Sequence, residues 1–284
     1  MPTFNPNHLW RSVSGYSLRN KPSLFVLGAQ KAGTSSLHSY LDQSSYFSGS
    51  KPKEVHFFNT DIYFGESLAK YEKRFRGFRD NVTFYESTPA YLYHPETADR
   101  IYEYNPSARF IVLLRDPVKR AYSAYNHYRL LFETGEYKRG VGNPNKREGN
   151  DLYKYLFEGR QQFPSFREVI SIELELIGES NNFEPGILRR GLYLQQLQRF
   201  WQCFDQEAFL IIGFKEFISN PTAVLGQIEK HMKQPPHDWS NFSPTVKNNR
   251  SYAEPILPDD YKFLEDYYAI PNQALFNVVG HVNW

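Results

Sequence analysis

The sequence has a single cysteine, no long apolar run and almost no net charge. Cys203 cannot form an internal disulfide, which favours a reducing compartment, so we expect a cytoplasmic protein. No apolar run approaches the ~18 residues that a membrane-spanning helix requires. Residues 1–21 have no signal-peptide core and are predicted to be an extended leader before one domain at 22–284. A net charge of +2 excludes general affinity for nucleic acid, so we expect neither nucleic acid nor a membrane as partner.

Aromatic residues, in contrast, are abundant: they make up 17% of the chain, with 23 Phe and 21 Tyr, which predicts a ring-rich core. Four short apolar runs are predicted to be buried strands, at residues 24–27, 83–86, 109–114 and 209–213. Helical spacing begins at Thr34 and recurs at 66–76, 95–105, 118–131, 151–158, 165–178, 189–203 and 214–232. This alternation predicts an α/β fold, with a mostly parallel central sheet and helices on both faces.

The stretch from Phe25 to Leu37 predicts a site for an anion. Its apolar strand is followed by a turn between Gly28 and Gly33 and then by the start of a helix. Backbone N–H groups at a helix start have no partner within the helix, and the helix dipole favours negative charge there. The turn adds the Lys31 ammonium group, and the helix adds the hydroxyls of Thr34, Ser35 and Ser36.

The position of Lys31 separates this loop from a Walker A motif. Lys31 precedes Gly33 by two residues, whereas a Walker A lysine follows its second glycine. A kinase-like P-loop enzyme is therefore disfavoured but remains an alternative. An ordinary strand-turn-helix corner with a surface lysine is the other alternative.

The segment GAQKAGTSSL resembles the 5′-phosphosulfate loop of sulfotransferases that use 3′-phosphoadenosine 5′-phosphosulfate (PAPS). The branch it resembles contains the heparan sulfate N- and O-sulfotransferases and their soluble bacterial relatives. The resemblance implies a P-loop-like sulfotransferase fold, PAPS as donor and adenosine 3′,5′-bisphosphate (PAP) as product. It also implies that Lys31 stabilises the leaving oxygen. The implied binding residues of this loop are Gln30, Lys31, Ala32, Gly33, Thr34, Ser35 and Ser36.

The block LLRDPVKRAYSAYNHYR resembles the same family's 3′-phosphate motif, which implies that Arg115 and Ser123 bind that phosphate. The residue types support this role without the resemblance. Arg115 follows a predicted parallel strand, at the edge where such sheets usually bind ligands, and a guanidinium can bind a phosphate through two N–H groups. A structural pair with Asp116 is the alternative. The resemblance extends to RGLY and to a late basic loop, which implies nucleotide contacts from Tyr193, Lys247, Asn248 and Arg250.

The acceptor side of the resemblance begins at KEVHFF, residues 53–58. The family's Glu in this motif is its proposed general base, which here implies Glu54; a surface pair with Lys53 is the alternative. His127 lies one helical turn after Ser123, and a histidine at this position is implicated in catalysis in the resembled N-sulfotransferases. Glu54 is therefore expected to take the acceptor proton with His127 as helper. Exchanged roles, or a packing role alone for His127, are the alternatives.

Ser87 is a departure from the family pattern. In YESTPAYLY it stands where the resembled enzymes carry a lysine that contacts the phosphosulfate or the acceptor. Either Lys51, Lys53 or Lys247 substitutes for that lysine, or the acceptor needs less positive charge. The low net charge also favours an acceptor with little negative charge. We therefore expect a small metabolite in an aromatic cleft rather than a long anionic glycan.

The predicted function is sulfuryl transfer from PAPS to a hydroxyl or amine. Residues 132–151 are rich in Gly, Lys and Asn and are predicted to be a mobile loop over the cleft. The eight histidines show no metal-ligand spacing such as HExxH, so no metal is expected. A glycan sulfotransferase and a non-catalytic nucleotide-binding module remain alternatives.

Overall fold

The computed structural model describes residues 21–65, 67–76, 81–139, 151–177, 185–244 and 254–284. Within them, five strands form one sheet in the order β2-β3-β1-β4-β5, and every neighbouring pair is parallel. The strands are β1 (Leu24–Gly28), β2 (Phe47–Gly49), β3 (Thr83–Ser87), β4 (Arg109–Leu114) and β5 (Phe209–Gly213). The predicted α/β fold with a mostly parallel sheet is confirmed.

Helices connect and flank these strands. They are α1 (Thr34–Leu41), α2 (Asp61–Phe64), α3 (Leu68–Glu72), α4 (Thr97–Tyr104), α5 (Pro117–Glu133), α6 (Asp151–Phe157), α7 (Phe166–Leu176), α8 (Tyr193–Trp201), α9 (Phe214–Ser219), α10 (Pro221–His231) and α11 (Pro258–Val279). Short 3₁₀ turns occur at Glu136–Arg139, Arg189–Gly191 and Gln206–Ala208. No helix in the described ranges is long and apolar enough to cross a membrane.

Three local predictions differ from the structure. The helix predicted at 66–76 is shorter, since α3 ends at Glu72. The helix predicted at 214–232 is two helices, because Asn220 caps α10 by accepting a hydrogen bond from the Ala223 N–H at 3.2 Å, and Pro221 begins that helix. Strand β2 was not among the four predicted strands.

The sheet explains where a ligand can bind. The central strands β1 and β4 are apolar and almost entirely buried, as parallel strands covered on both faces must be. The chain leaves β1 toward β2 on one side of the sheet and leaves β4 toward β5 on the other. Loops therefore diverge at the carboxyl ends of β1 and β4, and this switch point is where parallel α/β sheets usually bind ligands.

The C-terminal segment packs against the end of β5. The backbone N–H of Lys215 donates to the Asn283 carbonyl, with 3.1 Å between N and O. A Cβ atom at Gly213 would overlap the backbone of Asn283, so only glycine permits this approach. The contact fixes the start of α9, and with it the Phe214 ring beside the switch point.

Candidate functional site

The loop between β1 and α1 is bound to the end of β4. The Ala29 N–H donates to the Leu113 carbonyl at 2.7 Å, and Arg115 Nη1 donates to the Lys31 carbonyl at 2.9 Å. Lys31 has a φ of 69°, a left-handed conformation that costs a non-glycine residue about 1–2 kcal/mol. The Arg115 guanidinium therefore helps to hold the loop in its strained conformation.

The first turn of α1 is suited to an anion. Gly33 is the N-cap, and no side chain caps the first N–H groups of this helix. Helix α5 differs, because Asp116 Oδ1 accepts from the Val118 and Lys119 N–H groups at 2.9 and 3.0 Å. Of these two helix starts at the switch point, α5 has a side-chain cap and α1 does not, so the first turn of α1 is the better suited to an anion.

Gly33 is required by both conformation and space. Its φ of 90° lies in the region that favours glycine. A Cβ atom there would lie 3.2 Å from the Phe217 ring and 3.3 Å from the Phe214 ring. Helix α9 thus presses against the loop, which leaves no room for a side chain at this turn.

Arg115 has aromatic and polar neighbours that fix its position. Its guanidinium carbon lies 4.9 Å from the centroid of the Phe214 ring, and its carbonyl accepts from the Tyr193 hydroxyl at 2.6 Å. It also lines a cavity of about 370 Å³ together with Lys119 and Tyr261. The residue predicted to bind the 3′-phosphate therefore reaches an open space.

The other residues predicted for the 3′-phosphate and the nucleotide are distributed around Arg115. Ser123 is buried at 2% exposure in the second turn of α5, the helix that follows Arg115. Tyr193 is equally buried, so it supports Arg115 through the hydroxyl contact just described. The predicted contacts Lys247, Asn248 and Arg250 lie outside the described residues, as does most of the loop predicted at 132–151.

Gln30 joins the loop to α5. Its Nε2 donates to the Tyr128 hydroxyl at 3.2 Å. His127 neighbours Tyr128 on the helix, with 5.4 Å between their ring centroids, and is half-buried. Among the predicted catalytic residues, Lys31 and His127 thus belong to segments that Gln30 links directly.

Glu54 lies in the segment that follows β2, the strand at one edge of the sheet. Its Oε1 lies 2.7 Å from Lys53 Nζ and its Oε2 lies 3.7 Å from His56 Nε2, while 43% of its side chain is exposed. Partial burial acts to raise the pKa of this carboxyl group, but His56 and Lys53 together outweigh it and lower the pKa of Glu54 to about 2. The carboxylate is ionised and paired at neutral pH.

His56 is a candidate functional residue that the sequence reasoning missed. Its Nε2 faces Glu54, and its Nδ1 lies 3.2 Å from Asn59 Oδ1, so the ring is held between the two side chains. Its φ of 57° is left-handed, which is uncommon for a residue other than glycine. The only sequence signal is its place two residues after Glu54, within the KEVHFF motif.

Ser87 does not supply the positive charge of the lysine it replaces. It is fully buried at the end of β3, in register with Val26 of β1. Of the proposed substitutes, Lys53 is paired with Glu54, Lys51 is exposed, and Lys247 is not described. In the described part of the chain, no cluster of His, Cys, Asp or Glu has the geometry of a metal site.

Comparison with known proteins identifies the family of the chain. The family model for the sulfotransferase domain matches residues 21–248. The membrane-associated sulfotransferase kil1 of Dictyostelium discoideum is 23% identical, over 91% of this chain and 65% of that protein. Human heparan sulfate glucosamine 3-O-sulfotransferase 5 is 27% identical, over 76% of this chain and 54% of that protein. The chain therefore spans about half to two thirds of the length of these relatives.

Two solved structures share the fold. A sulfotransferase from Alicyclobacillus acidocaldarius superimposes with a TM-score of 0.68 and 26% identity, over 93% of this chain and 97% of that one. A mouse sulfotransferase solved in complex with PAP superimposes with a TM-score of 0.51 and 11% identity, over 88% and 84%. The family match covers most of the chain, and the chain belongs to the sulfotransferase domain family.

Proposed function

We propose that residues 22–284 act as one domain that transfers a sulfuryl group from PAPS to a hydroxyl or amine. The observation that carries the proposal is the hydrogen bond between Arg115 Nη1 and the Lys31 carbonyl. It joins a helix start suited to a 5′-phosphate to an arginine suited to a 3′-phosphate, and PAPS carries both groups. The PAP-bound mouse structure, which shares the fold, supports the same ligand.

On the donor side, the chain binds the two phosphate groups of PAPS and neutralises the negative charge that develops on the leaving oxygen. The first N–H groups of α1 and the hydroxyls of Thr34, Ser35 and Ser36 hold the 5′-phosphate. Lys31 neutralises the bridging oxygen as it leaves sulfur, while Arg115 and Ser123 hold the 3′-phosphate. When bound, PAPS supplies the sulfuryl group and departs as PAP.

On the acceptor side, Glu54 accepts the proton. The acceptor oxygen or nitrogen forms a bond to sulfur while the bond from sulfur to the bridging oxygen breaks, so the acceptor must lose one proton. The Glu54 carboxylate takes that proton, and His56 orients it from 3.7 Å. His127, on the segment that Gln30 links to the donor loop, assists or replaces Glu54 as base.

The acceptor is proposed to be a small metabolite. Ser87 contributes no charge, and Lys53 is paired with Glu54, so these positions offer little attraction to a polyanion. A glycan acceptor is the second candidate, because the human relative is named for action on heparan sulfate. Turnover of labelled PAPS over a panel of phenols, alcohols, amines and heparan fragments distinguishes the two.

A cytoplasmic location is proposed from the single cysteine.

Selective binding of PAP tests the donor site. Isothermal titration calorimetry should give a PAP affinity roughly 10- to 150-fold higher than that of AMP, because a lost charge-assisted phosphate contact costs roughly 1.5–3 kcal/mol. Ser123→Ala should reduce this preference. It is a sharper variant than Arg115→Ala, which would also release the Lys31 carbonyl.

Thr134→Ala is the matched control for Ser123→Ala. Thr134 follows the same helix at its other end, where its hydroxyl donates to the Leu130 carbonyl at 2.9 Å. This variant should keep the full preference for PAP. Equal affinity of the wild-type protein for AMP and PAP would overturn the assignment of the donor site.

The pH dependence of kcat/KM tests the assignment of Glu54. Its pKa of about 2 lies below the ordinary value, so the proton-accepting carboxylate is present above pH 2 and is lost only as the pH falls through about 2. If Glu54 is the base, kcat/KM should show no acid limb between pH 4 and 8. A limb centred near the ordinary histidine value of ~6.5 would assign proton acceptance to a histidine instead.

A further inference from the structure

A buried carboxylate lies directly behind the segment that carries Glu54 and His56. Glu86, in β3, has no exposed surface, and three hydroxyl groups donate to its side chain. The Tyr71 hydroxyl lies 2.6 Å from Oε2, and the Thr88 and Tyr91 hydroxyls each lie 2.6 Å from Oε1. None of these four residues has a part in the chemistry described above.

Two of the three hydroxyls continue to the backbone of the acceptor segment. Thr88 Oγ1 accepts from the Val55 N–H at 3.2 Å, and the Tyr91 hydroxyl accepts from the Phe58 N–H at 3.3 Å. Because an N–H can only donate, each hydroxyl turns its own hydrogen toward Glu86. A single carboxylate oxygen thereby fixes two backbone groups, at Val55 and at Phe58.

These two backbone groups bracket His56. A left-handed histidine costs about 1–3 kcal/mol relative to an ordinary conformation and persists only where its surroundings hold it. The Val55 and Phe58 N–H groups are anchored on either side of it, and Glu54 directly precedes Val55. Loss of one anchor allows the turn to relax, which moves His56 away from Glu54.

We infer that Glu86 is a positioning residue that holds the Glu54–His56 turn in its working geometry through Thr88 and Tyr91. The inference rests on the proposed function, since it takes Glu54 and His56 to act on the acceptor. A displacement of about 1 Å at a reacting group can cost on the order of 100-fold in rate. The effect should therefore fall on kcat and leave donor binding unchanged.

Tyr71 and Tyr91 provide a matched pair for the test. Each gives one hydroxyl to Glu86, each is fully buried, and Phe keeps either ring in its aromatic packing. Both rings pack against the acceptor segment, but of the two hydroxyls it is that of Tyr91 that accepts a hydrogen bond from the backbone of this segment. Tyr91→Phe should lower kcat about 10- to 100-fold with unchanged PAP affinity, whereas Tyr71→Phe should stay within about threefold of wild type. Equal kcat losses in the two variants, or no loss in either, would overturn the inference.

Two further measurements keep the test decisive. If Tyr91→Phe does not fold, Thr88→Val should show the same loss of kcat. Thr88→Ser, which keeps the hydroxyl, should restore kcat, and equal rates for these two Thr88 variants would contradict the inference.

Hydrogen exchange at the Val55 and Phe58 amides needs no turnover. It should accelerate at Phe58 in Tyr91→Phe but not in Tyr71→Phe, and equal exchange in both would count against Glu86. Failure of the wild-type protein to turn over PAPS would reject the proposed function separately.

Discussion

Glu54→Gln should lower kcat by about 10²- to 10⁴-fold while leaving PAP affinity nearly unchanged. A hydroxyl acceptor must lose its proton as the new bond to sulfur forms, and a positioned base contributes a factor of this size. Glutamine keeps the shape of the side chain and removes its basicity. Steady-state kinetics with saturating PAPS, combined with PAP titration, measures the two effects separately.

Lys53→Gln is the matched control, because it breaks the same ion pair from the other partner. The 2.7 Å contact between Lys53 Nζ and Glu54 Oε1 is lost in both variants, but the carboxylate remains in Lys53→Gln. Lys53 lowers the pKa of Glu54, so its removal makes the carboxylate a stronger base. A loss of kcat in Lys53→Gln as large as in Glu54→Gln would assign the effect to the ion pair rather than to proton transfer.

His127→Ala separates the remaining possibilities for the base. If Glu54 is the base, this variant should cost less than Glu54→Gln. A near-wild-type Glu54→Gln together with an inactive His127→Ala would exchange the two roles. If both changes are mild, the acceptor is an amine that loses its proton to solvent before it attacks sulfur, and Glu54 is not the base.

The central part of the fold could be predicted because its signals are local. The apolar runs of β1 and β4 have the length and composition of buried strands, and both form where predicted. The glycine turn likewise marks the start of α1 at Thr34. Strand β2 could not be predicted in this way, since three residues that read Phe-Ser-Gly carry no periodicity. It exists because it pairs with β3, from Phe47 opposite Thr83 onward.

The candidate site was predictable only in part, for the same reason. Motifs named Lys31 and Arg115, but no pattern states that the carbonyl of one accepts from the guanidinium of the other across 84 positions of sequence. His56 owes its place beside Glu54 to a left-handed backbone that is held by hydroxyls more than 30 residues away. Such contacts follow from the order of strands in the sheet, which single-sequence patterns do not encode.

Lys31→Ala should lower kcat by about 10²- to 10³-fold and weaken PAP binding by less than about tenfold. Charge develops on the bridging oxygen only as its bond to sulfur breaks, so a cation beside that oxygen acts mainly in the transition state. Steady-state kinetics with saturating PAPS, together with calorimetric titration of PAP, gives both numbers. An unchanged kcat with weakened PAP binding would reduce Lys31 to a binding residue.

The left-handed backbone at Lys31 requires a second variant to interpret this result. Alanine at a φ of 69° strains the loop, whereas asparagine tolerates that conformation more readily. Lys31→Asn should therefore lose kcat to the same extent as Lys31→Ala, since both remove the charge. If Lys31→Asn keeps its kcat while Lys31→Ala loses it, the loss in Lys31→Ala comes from a distorted loop backbone. The distortion would include the Lys31 carbonyl, which accepts a hydrogen bond from Arg115.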